Sequence, residues 1–283
     1  MPDTQNAVYA QAYGANIMQL AQQNFAKLIN TVYVKPNVRG KTFFQDQIGQ
    51  WSMEVKGGRN TATPNNDPAL ARRMGTMVDY HDNRLLDRGD ELRTISDPRS
   101  AYTIAAAKSL GRKIDEVIIT GALAQAATGE TGSTLVTNGN IILGSAASMT
   151  LARIVAVKAQ LDAQDVEMED RYFVITPAAL DNLLNTTAAT SSDYNSIKAL
   201  IRGEIDTWMG FKWIMSTRLA AVSASTLIGI AYQKYGICLA MAAQPLVRTD
   251  ERSDLSYSWQ VYYELNIGAV RLEESRVVIF NEG

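Results

Sequence analysis

The sequence predicts an α+β fold, and three observations support that class. One helical pattern covers residues 97–127, far beyond the roughly 11–12 residues of an average helix. Apolar and polar residues alternate without a break over residues 255–267, which predicts a strand of about 40 Å at about 3.3 Å per residue. A stretch rich in Gly, Asn and Pro separates two shorter strand patterns, which predicts a hairpin that projects away from the core.

The composition is that of a folded chain with a full apolar core, in one large domain or two closely packed ones. The 283 residues are 46% hydrophobic, and 27 Lys and Arg against 29 Asp and Glu leave a net charge of -2. No basic stripe is visible, so direct wrapping of nucleic acid is not expected. Cys238 is the only cysteine and has apolar neighbours, which predicts a buried thiol and no internal disulfide. No signal segment or apolar run of transmembrane length is recognisable, so we expect a soluble product.

The first elements are a helix and the projecting hairpin. Residues 7–29 have the spacing of an amphipathic helix. Trp51, Met53 and Val55 then alternate with polar residues, which predicts a strand, and Val78 begins the return strand. The excursion between these strands is long for a structureless loop in a compact domain, so we expect it to rest on another molecule.

The long helix has start and stop signals at both ends. Asp97 can cap it, Pro98 suits the first helical position, and Gly129 can end it. Such a helix would be about 45 Å long. Gly111 and Gly121 each cost roughly 1 kcal/mol relative to alanine and could introduce a kink. Its apolar face includes three regularly spaced residues: Leu110, Ile114 and Ile118.

The second half of the chain mixes short helices and strands. The pattern predicts a helix over residues 149–167, a buried strand over 171–177, a short helix from Pro177 and two apolar strands within 226–245. A final apolar strand follows the long alternating one, and no internal repeat is visible.

Site chemistry finds little support in the sequence. His81 is the only histidine, and no GxSxG elbow accompanies it, so a histidine-based triad is not expected. Metal sites built from several His or Cys are excluded by count. The carboxylates between Asp87 and Glu91 are adjacent on an extended segment, so they point to opposite faces and do not form one site. We therefore expect no enzyme activity, no cofactor and no metal.

The order of these elements resembles the major capsid proteins of tailed bacteriophages, which share the Hong Kong ninety-seven-type capsid fold. The most specific stretches are "ITPAALDNLL" and "IDTWMGFKWIMS", within a helix–strand–helix unit and the segment that precedes the short apolar strands. The resemblance implies a structural subunit of an icosahedral bacteriophage head. Such subunits self-assemble as hexamers and pentamers into the shell that encloses the viral genome.

The resemblance also implies a division of the chain into regions. It gives an N-terminal arm at residues 1–38, an extended hairpin (E-loop) region at 39–93, a peripheral domain at 94–172 and 245–283, and an axial domain at 173–244. The long helix would be the spine of the peripheral domain, with Asp97, Pro98, Leu110, Ile114 and Ile118 as its structural residues. The long strands would lie in the same domain.

The hairpin residues would contact a neighbouring subunit. At its tip these are Arg59, Asn60, Thr61, Asn65 and Asn66. At its charged base they are Arg72, Arg73, Arg84, Asp87, Arg88, Asp90 and Glu91.

The implied partners are other proteins of the head. Portal and scaffolding proteins are expected, and a decoration protein on the shell is compatible with the resemblance. The shell would enclose double-stranded DNA without sequence-specific binding and without a membrane. The chain would belong to the virion capsid after assembly in the host cytoplasm.

Three other functions stay open at this point. A nanocompartment shell would enclose a cargo enzyme instead of DNA. An enzyme could use carboxylates such as Asp79, Asp87 and Glu91, but it would need a pocket. A tail or receptor-binding protein would usually contain repeats.

Overall fold

The computed structural model describes residues 22–87, 99–144, 149–186, 207–222, 227–243 and 245–282. Its helices are α1 (Arg99–Leu123), α2 (Leu151–Asp162), α3 (Pro177–Thr186) and α4 (Arg218–Val222). The first strands are β1 (Tyr33–Lys35), β2 (Thr42–Ile48), β3 (Leu70–Thr76), β4 (Val78–Leu86), β5 (Ala126–Thr128), β6 (Thr134–Val136) and β7 (Ile141–Gly144). The later strands are β8 (Arg171–Ile175), β9 (Thr207–Trp208), β10 (Phe211–Met215), β11 (Leu227–Gln233), β12 (Ile237–Met241), β13 (Leu246–Arg252), β14 (Ser258–Arg271) and β15 (Val277–Glu282).

The chain divides into two compact units. The first comprises Met1–Phe25, Asp79–Gly111 and Gln244–Leu265. In its described part, β13 pairs antiparallel with the first half of β14, and β4 also pairs with β14. This unit therefore contains a hairpin built from the long alternating strand that the sequence predicts.

The second unit comprises Ala26–Val78, Arg112–Ala243 and Asn266–Gly283, and it holds an extensive apolar core. A six-stranded sheet in the order β7-β15-β11-β8-β10-β9 forms one wall of this core. All five residues of β8 are buried, as expected for the continuous apolar run of a central strand. Helices α2 and α3 add Ile154, Leu161 and Leu183 to the core, which confirms the two helices and the strand between them.

A second sheet in this unit supports the base of the projecting hairpin. Its order is β2-β3-β5-β6, and all neighbouring strands are antiparallel. In the same unit, β1 runs parallel to β12, and β12 pairs with the end of β14. Strands β5, β6 and β7 lie in small-residue sequence that lacks a clear strand pattern.

Helix α1 confirms the predicted apolar face but is shorter than predicted. Leu110, Ile114 and Ile118 are buried, and the 25 residues correspond to about 37 Å. The helix ends before the predicted stop at Gly129, because Ala126–Thr128 pairs with β3 as β5. The helix runs through Gly121, where an added Cβ would lie 2.7 Å from the Ala269 Cβ. Asp97 and Pro98, the predicted start signals, lie outside the described residues.

Two other predictions need correction. The predicted helix over residues 7–29 lies mostly outside the described residues, and from residue 22 onward it is not α-helical; a short 3₁₀ helix covers Ile29–Thr31. The long alternating strand starts at Ser258 and not at residue 255. Ser256 and Tyr257 have φ values of 52° and 56°, so they form a turn that joins β13 to β14.

Candidate functional site

The projecting hairpin is regular at its base and irregular beyond it. Strands β2 and β3 pair from Thr42 with Thr76 to Ile48 with Leu70, and the Gly49 amide donates to the Ala69 carbonyl oxygen at 2.7 Å. The strand predicted at Trp51–Val55 is therefore wrong for the single chain, because the regular ladder has already ended. We refer to residues 50–68 as the hairpin loop.

Two side-chain hydrogen bonds within the hairpin loop hold its local conformation. At the tip, the Thr61 hydroxyl donates to the Gly58 carbonyl oxygen at 2.7 Å. Further down, the Asn66 amide donates to a Glu54 carboxylate oxygen at 2.9 Å. These contacts shape the loop, but they bury none of its apolar side chains.

The first limb of the loop exposes three large apolar side chains. The exposed fractions are 75% for Trp51, 99% for Met53 and 97% for Val55. Ile48 and Leu70, at the end of the ladder, are 74% and 78% exposed. Single exposed apolar residues are common, but a group of five on one projecting element indicates an interaction surface.

The predicted tip residues are polar and accessible. Arg59, Asn60, Thr61 and Asn65 are exposed, and Asn66 is half-buried beside Glu54. Asn60 has a φ of 62°, a left-handed conformation that Asn tolerates better than most residues. Their contact with another subunit stays a prediction.

The predicted charged base is only partly an open surface. The Arg72 Nε lies 2.5 Å from the Asp46 Oδ1, and this hydrogen bond holds the pKa of Asp46 below its ordinary value. Arg84 lies over the ring of Tyr102 at 5.9 Å, and Asp87 is exposed. Arg88, Asp90 and Glu91 lie outside the described residues.

Arg73 is buried inside its own chain, and its predicted contact with another subunit stays a prediction. Its side chain is buried, its Nε donates to the Leu272 carbonyl oxygen at 2.8 Å, and its Nη2 lies 2.6 Å from Glu274 Oε2. Because these partners are about 200 positions away in the sequence, the local pattern of charges gives no sign of them. Arg73 therefore fixes the base of the hairpin inside its own subunit.

A second buried arginine, which the sequence does not single out, lies next to this anchor. Arg271 is fully buried and donates to the carbonyl oxygens of Ala122, Ala124 and Val136 at 2.8, 2.9 and 3.0 Å. Burial lowers the pKa of Arg271, and the carboxylate of Glu274 lies 3.5 Å from its Nε. Within the second unit, this cluster joins the end of α1, the end of β14 and strand β3.

The chain that enters the second unit is fixed by Asp115. This carboxylate on α1 is fully buried and accepts the backbone amides of Lys27 and Leu28, both at 3.0 Å. The Thr31 and Tyr232 hydroxyls are 2.6 Å apart, and burial raises the pKa of Tyr232 well above its ordinary value. The segment that precedes β1 is therefore firmly attached to the core of its unit.

A groove with a volume of about 730 Å³ lies beside the base of the hairpin. Its walls include Asp46 and Arg72, which pair with each other, and Glu130 from the turn after β5. The exposed Ile48 and Leu70 also line it. Its features are those of a groove between a hairpin and a turn, not of a site with converging catalytic groups.

The geometry also disfavours the carboxylate enzyme. Asp79 and Asp87 lie at opposite ends of the extended segment that contains β4, about 26 Å apart at 3.3 Å per residue, so they cannot act on one substrate. Within the described ranges, no group of three or more His, Cys, Asp or Glu could hold a metal ion. No described helix is both long and apolar enough to span a membrane.

Solved structures with the same fold come from phages and a related particle. A capsid structure of the cyanophage P-SCSP1u has a TM-score of 0.77 at 16% identity and covers 98% of this chain and 94% of its own. The capsid of a native GTA particle gives 0.76 at 13% identity, with 99% and 97% covered. A structure from Mycobacterium phage Ogopogo gives 0.74 at 11% identity, with both chains fully covered.

Sequence comparison identifies the family. No curated protein sequence matches the chain. The family described as phage capsid protein matches residues 5–281, nearly the whole sequence. Neither comparison supports a nanocompartment shell or an enzyme. The chain belongs to the phage capsid protein family, and it is a structural subunit of an icosahedral phage head.

Proposed function

We propose that the subunit forms hexamers and pentamers of the head shell, in which the hairpin loop of each copy lies on a neighbouring copy. The observation that carries this proposal is the exposure of Trp51, Met53 and Val55 on an element without a core of its own. Covering one such side chain contributes about 1.5–3 kcal/mol. Repeated at every contact of a closed shell, this modest term supports a stable lattice.

The polar residues at the tip set the orientation of the docked hairpin loop and contribute little to the strength of the contact. Arg59, Asn60, Thr61 and Asn65 are exposed, so their side chains can reach a neighbouring subunit. Exposed ion pairs contribute only about 0–1 kcal/mol each, so Arg84 and Asp87 serve mainly to select the orientation of subunits.

The proposed regions follow the order of elements along the chain. We assign residues 1–38 to an arm, 39–93 to the extended hairpin, 94–172 and 245–283 to a peripheral domain with α1 as its spine, and 173–244 to an axial domain. The axial domain points toward the centre of each hexamer or pentamer in this arrangement.

Other head components complete the proposal. A separate scaffolding protein guides assembly, a portal occupies one vertex, and an outer decoration protein is compatible with the fold. The net charge of -2 favours enclosure of double-stranded DNA without tight or sequence-specific contact.

A shortened hairpin tests the proposal. Replacing residues 50–68 with Asn-Gly keeps the Gly49–Ala69 pair and closes the ladder with a two-residue turn that suits antiparallel strands. The melting temperature of the subunit should stay unchanged, while electron microscopy after co-expression with the neighbouring head genes should show no closed shells. The length-preserving variant A62S/T63S is the control and should assemble normally. Closed shells of native diameter from the shortened chain would contradict the proposal.

A further inference from the structure

We propose that residues 50–56 become a β-strand when subunits meet, by pairing their backbone with a sheet edge of a second copy. This inference rests on the proposed docking of the hairpin loop and specifies how that docking occurs. It comes from a conflict between the sequence pattern and the structure of the single chain.

The pattern in this segment is that of a strand. Trp51, Met53 and Val55 alternate with Ser52 and Glu54, and the seven residues contain no Gly or Pro. In the single chain, however, residues 50–56 are not a strand. Among the described residues, no backbone hydrogen bond involves residues 51–56.

The return limb of the loop explains why no strand forms. Continuing the register of β2 and β3 would place Pro68 opposite Gln50 and Pro64 opposite Glu54. Proline fixes φ at about −65°, far from the extended value of an antiparallel strand, and Asn65 and its polar neighbours are poor strand formers. The first limb therefore has a strand sequence without a suitable partner in its own hairpin.

The register also shows which backbone groups are available for a neighbour. The bond between Gly49 and Ala69 means that the odd-numbered residues of this limb direct their amides toward the return limb. In a continued strand, the amides of Ser52, Glu54 and Lys56 would therefore point outward. The two prolines make the return limb a poor edge for pairing, so the first limb is the one that can be extended.

A second copy of this chain is the partner that fits. The chain is a shell subunit, so other copies surround it in the head. In the described sheets, β2 and β13 each end a strand order and have seven residues, which matches the length of the docking segment. Strand addition supplies backbone hydrogen bonds, while the alternate apolar side chains supply buried area.

Proline substitution separates backbone pairing from side-chain docking. S52P removes one outward amide at an exposed position, while T63P places a proline on the return limb as a matched control. Because the lost backbone bond recurs at every contact, S52P should give roughly tenfold fewer closed shells. T63P should assemble like the unaltered chain, and both subunits should keep the native melting temperature.

Hydrogen exchange gives the second readout. In shells of the unaltered chain, the amides of Ser52, Glu54 and Lys56 should exchange roughly tenfold or more slowly than in unassembled subunits. Equal exchange in both states, or equal assembly losses for S52P and T63P, would overturn strand pairing. If the shortened hairpin fails to assemble but S52P assembles normally, docking stands and the strand is rejected.

Discussion

Arg271 donates from its Nη1 to the carbonyl oxygen of Ala122 at 2.8 Å, and so joins the end of the long strand β14 to the last turn of α1. The last carbonyls of a helix have no partner within it, and the same guanidinium also reaches the Ala124 carbonyl oxygen at 2.9 Å. One buried side chain therefore satisfies the end of the helix and fixes the strand against it.

Removing this guanidinium should strongly destabilise the subunit. R271M leaves buried carbonyl oxygens without a donor and removes a charge beside Glu274, so we expect a loss of about 3–5 kcal/mol in the free energy of unfolding. Urea unfolding followed by circular dichroism measures it. R248M, on an exposed part of β13, is the control and should change stability by no more than about 0.5 kcal/mol. A loss below about 1 kcal/mol for R271M would show that Arg271 is not a structural anchor.

Gly121 should not tolerate alanine, although alanine is the better helix former. In an open helix this change would stabilise by about 1 kcal/mol. Here the new Cβ would lie 2.7 Å from the Ala269 Cβ and 2.9 Å from its carbonyl oxygen, and such overpacking costs about 1–3 kcal/mol. We expect a lower melting temperature for G121A. G57A, where no atom lies within 4 Å of the added Cβ, should melt like the unaltered chain. Stabilisation by G121A would mean that α1 and β14 can separate freely.

The Asp115 carboxylate should also contribute measurably to stability. D115N keeps one acceptor oxygen but replaces the other with a donor that faces a backbone amide. The expected loss is about 1–3 kcal/mol in the free energy of unfolding. D181N, on the exposed side of α3, is the control. The two variants should differ clearly in chemical denaturation, and equal midpoints would argue against anchoring by Asp115.

Sequence periodicity predicts the elements that bury a face within the subunit itself. Leu110, Ile114 and Ile118 recur at helical spacing and are buried on α1. Strand β8, apolar after Arg171, is buried at every position, because strands pair on both of its sides and helices cover it. In both cases the burial that sets the pattern occurs inside the subunit.

The remaining features depend on partners far away in the sequence or outside the subunit. Arg73 belongs to a charged stretch, but it is buried and binds Glu274 and the Leu272 carbonyl oxygen. Trp51 and Val55 have the pattern of a strand, but the return limb opposite them, with Pro64 and Pro68, is a poor strand former. No single-sequence pattern contains either kind of partner.

The pair between Asp162 and Arg171 should make part of the stability depend on pH. The Arg171 guanidinium is almost fully buried, and its Nη1 lies 2.6 Å from the Asp162 Oδ1. This hydrogen bond, opposed in part by desolvation, holds the pKa of Asp162 below its ordinary value. Because the folded-state pKa is the lower one, the unfolded chain takes up the proton first as the pH falls below about 4.

The contribution of the Asp162–Arg171 pair to the free energy of unfolding is therefore complete near neutral pH. It is lost as the pH falls through the lowered pKa of Asp162. D162N should be less stable than the unaltered chain at pH 7, and the difference should shrink as the pH approaches 3. D165N is the control: its position has a φ of 53°, which Asn accepts, and its side chain is exposed. It should follow the unaltered chain at every pH in urea unfolding. If the difference in stability between D162N and the unaltered chain stays constant from pH 7 to pH 3, packing and not the charge on Asp162 stabilises this site.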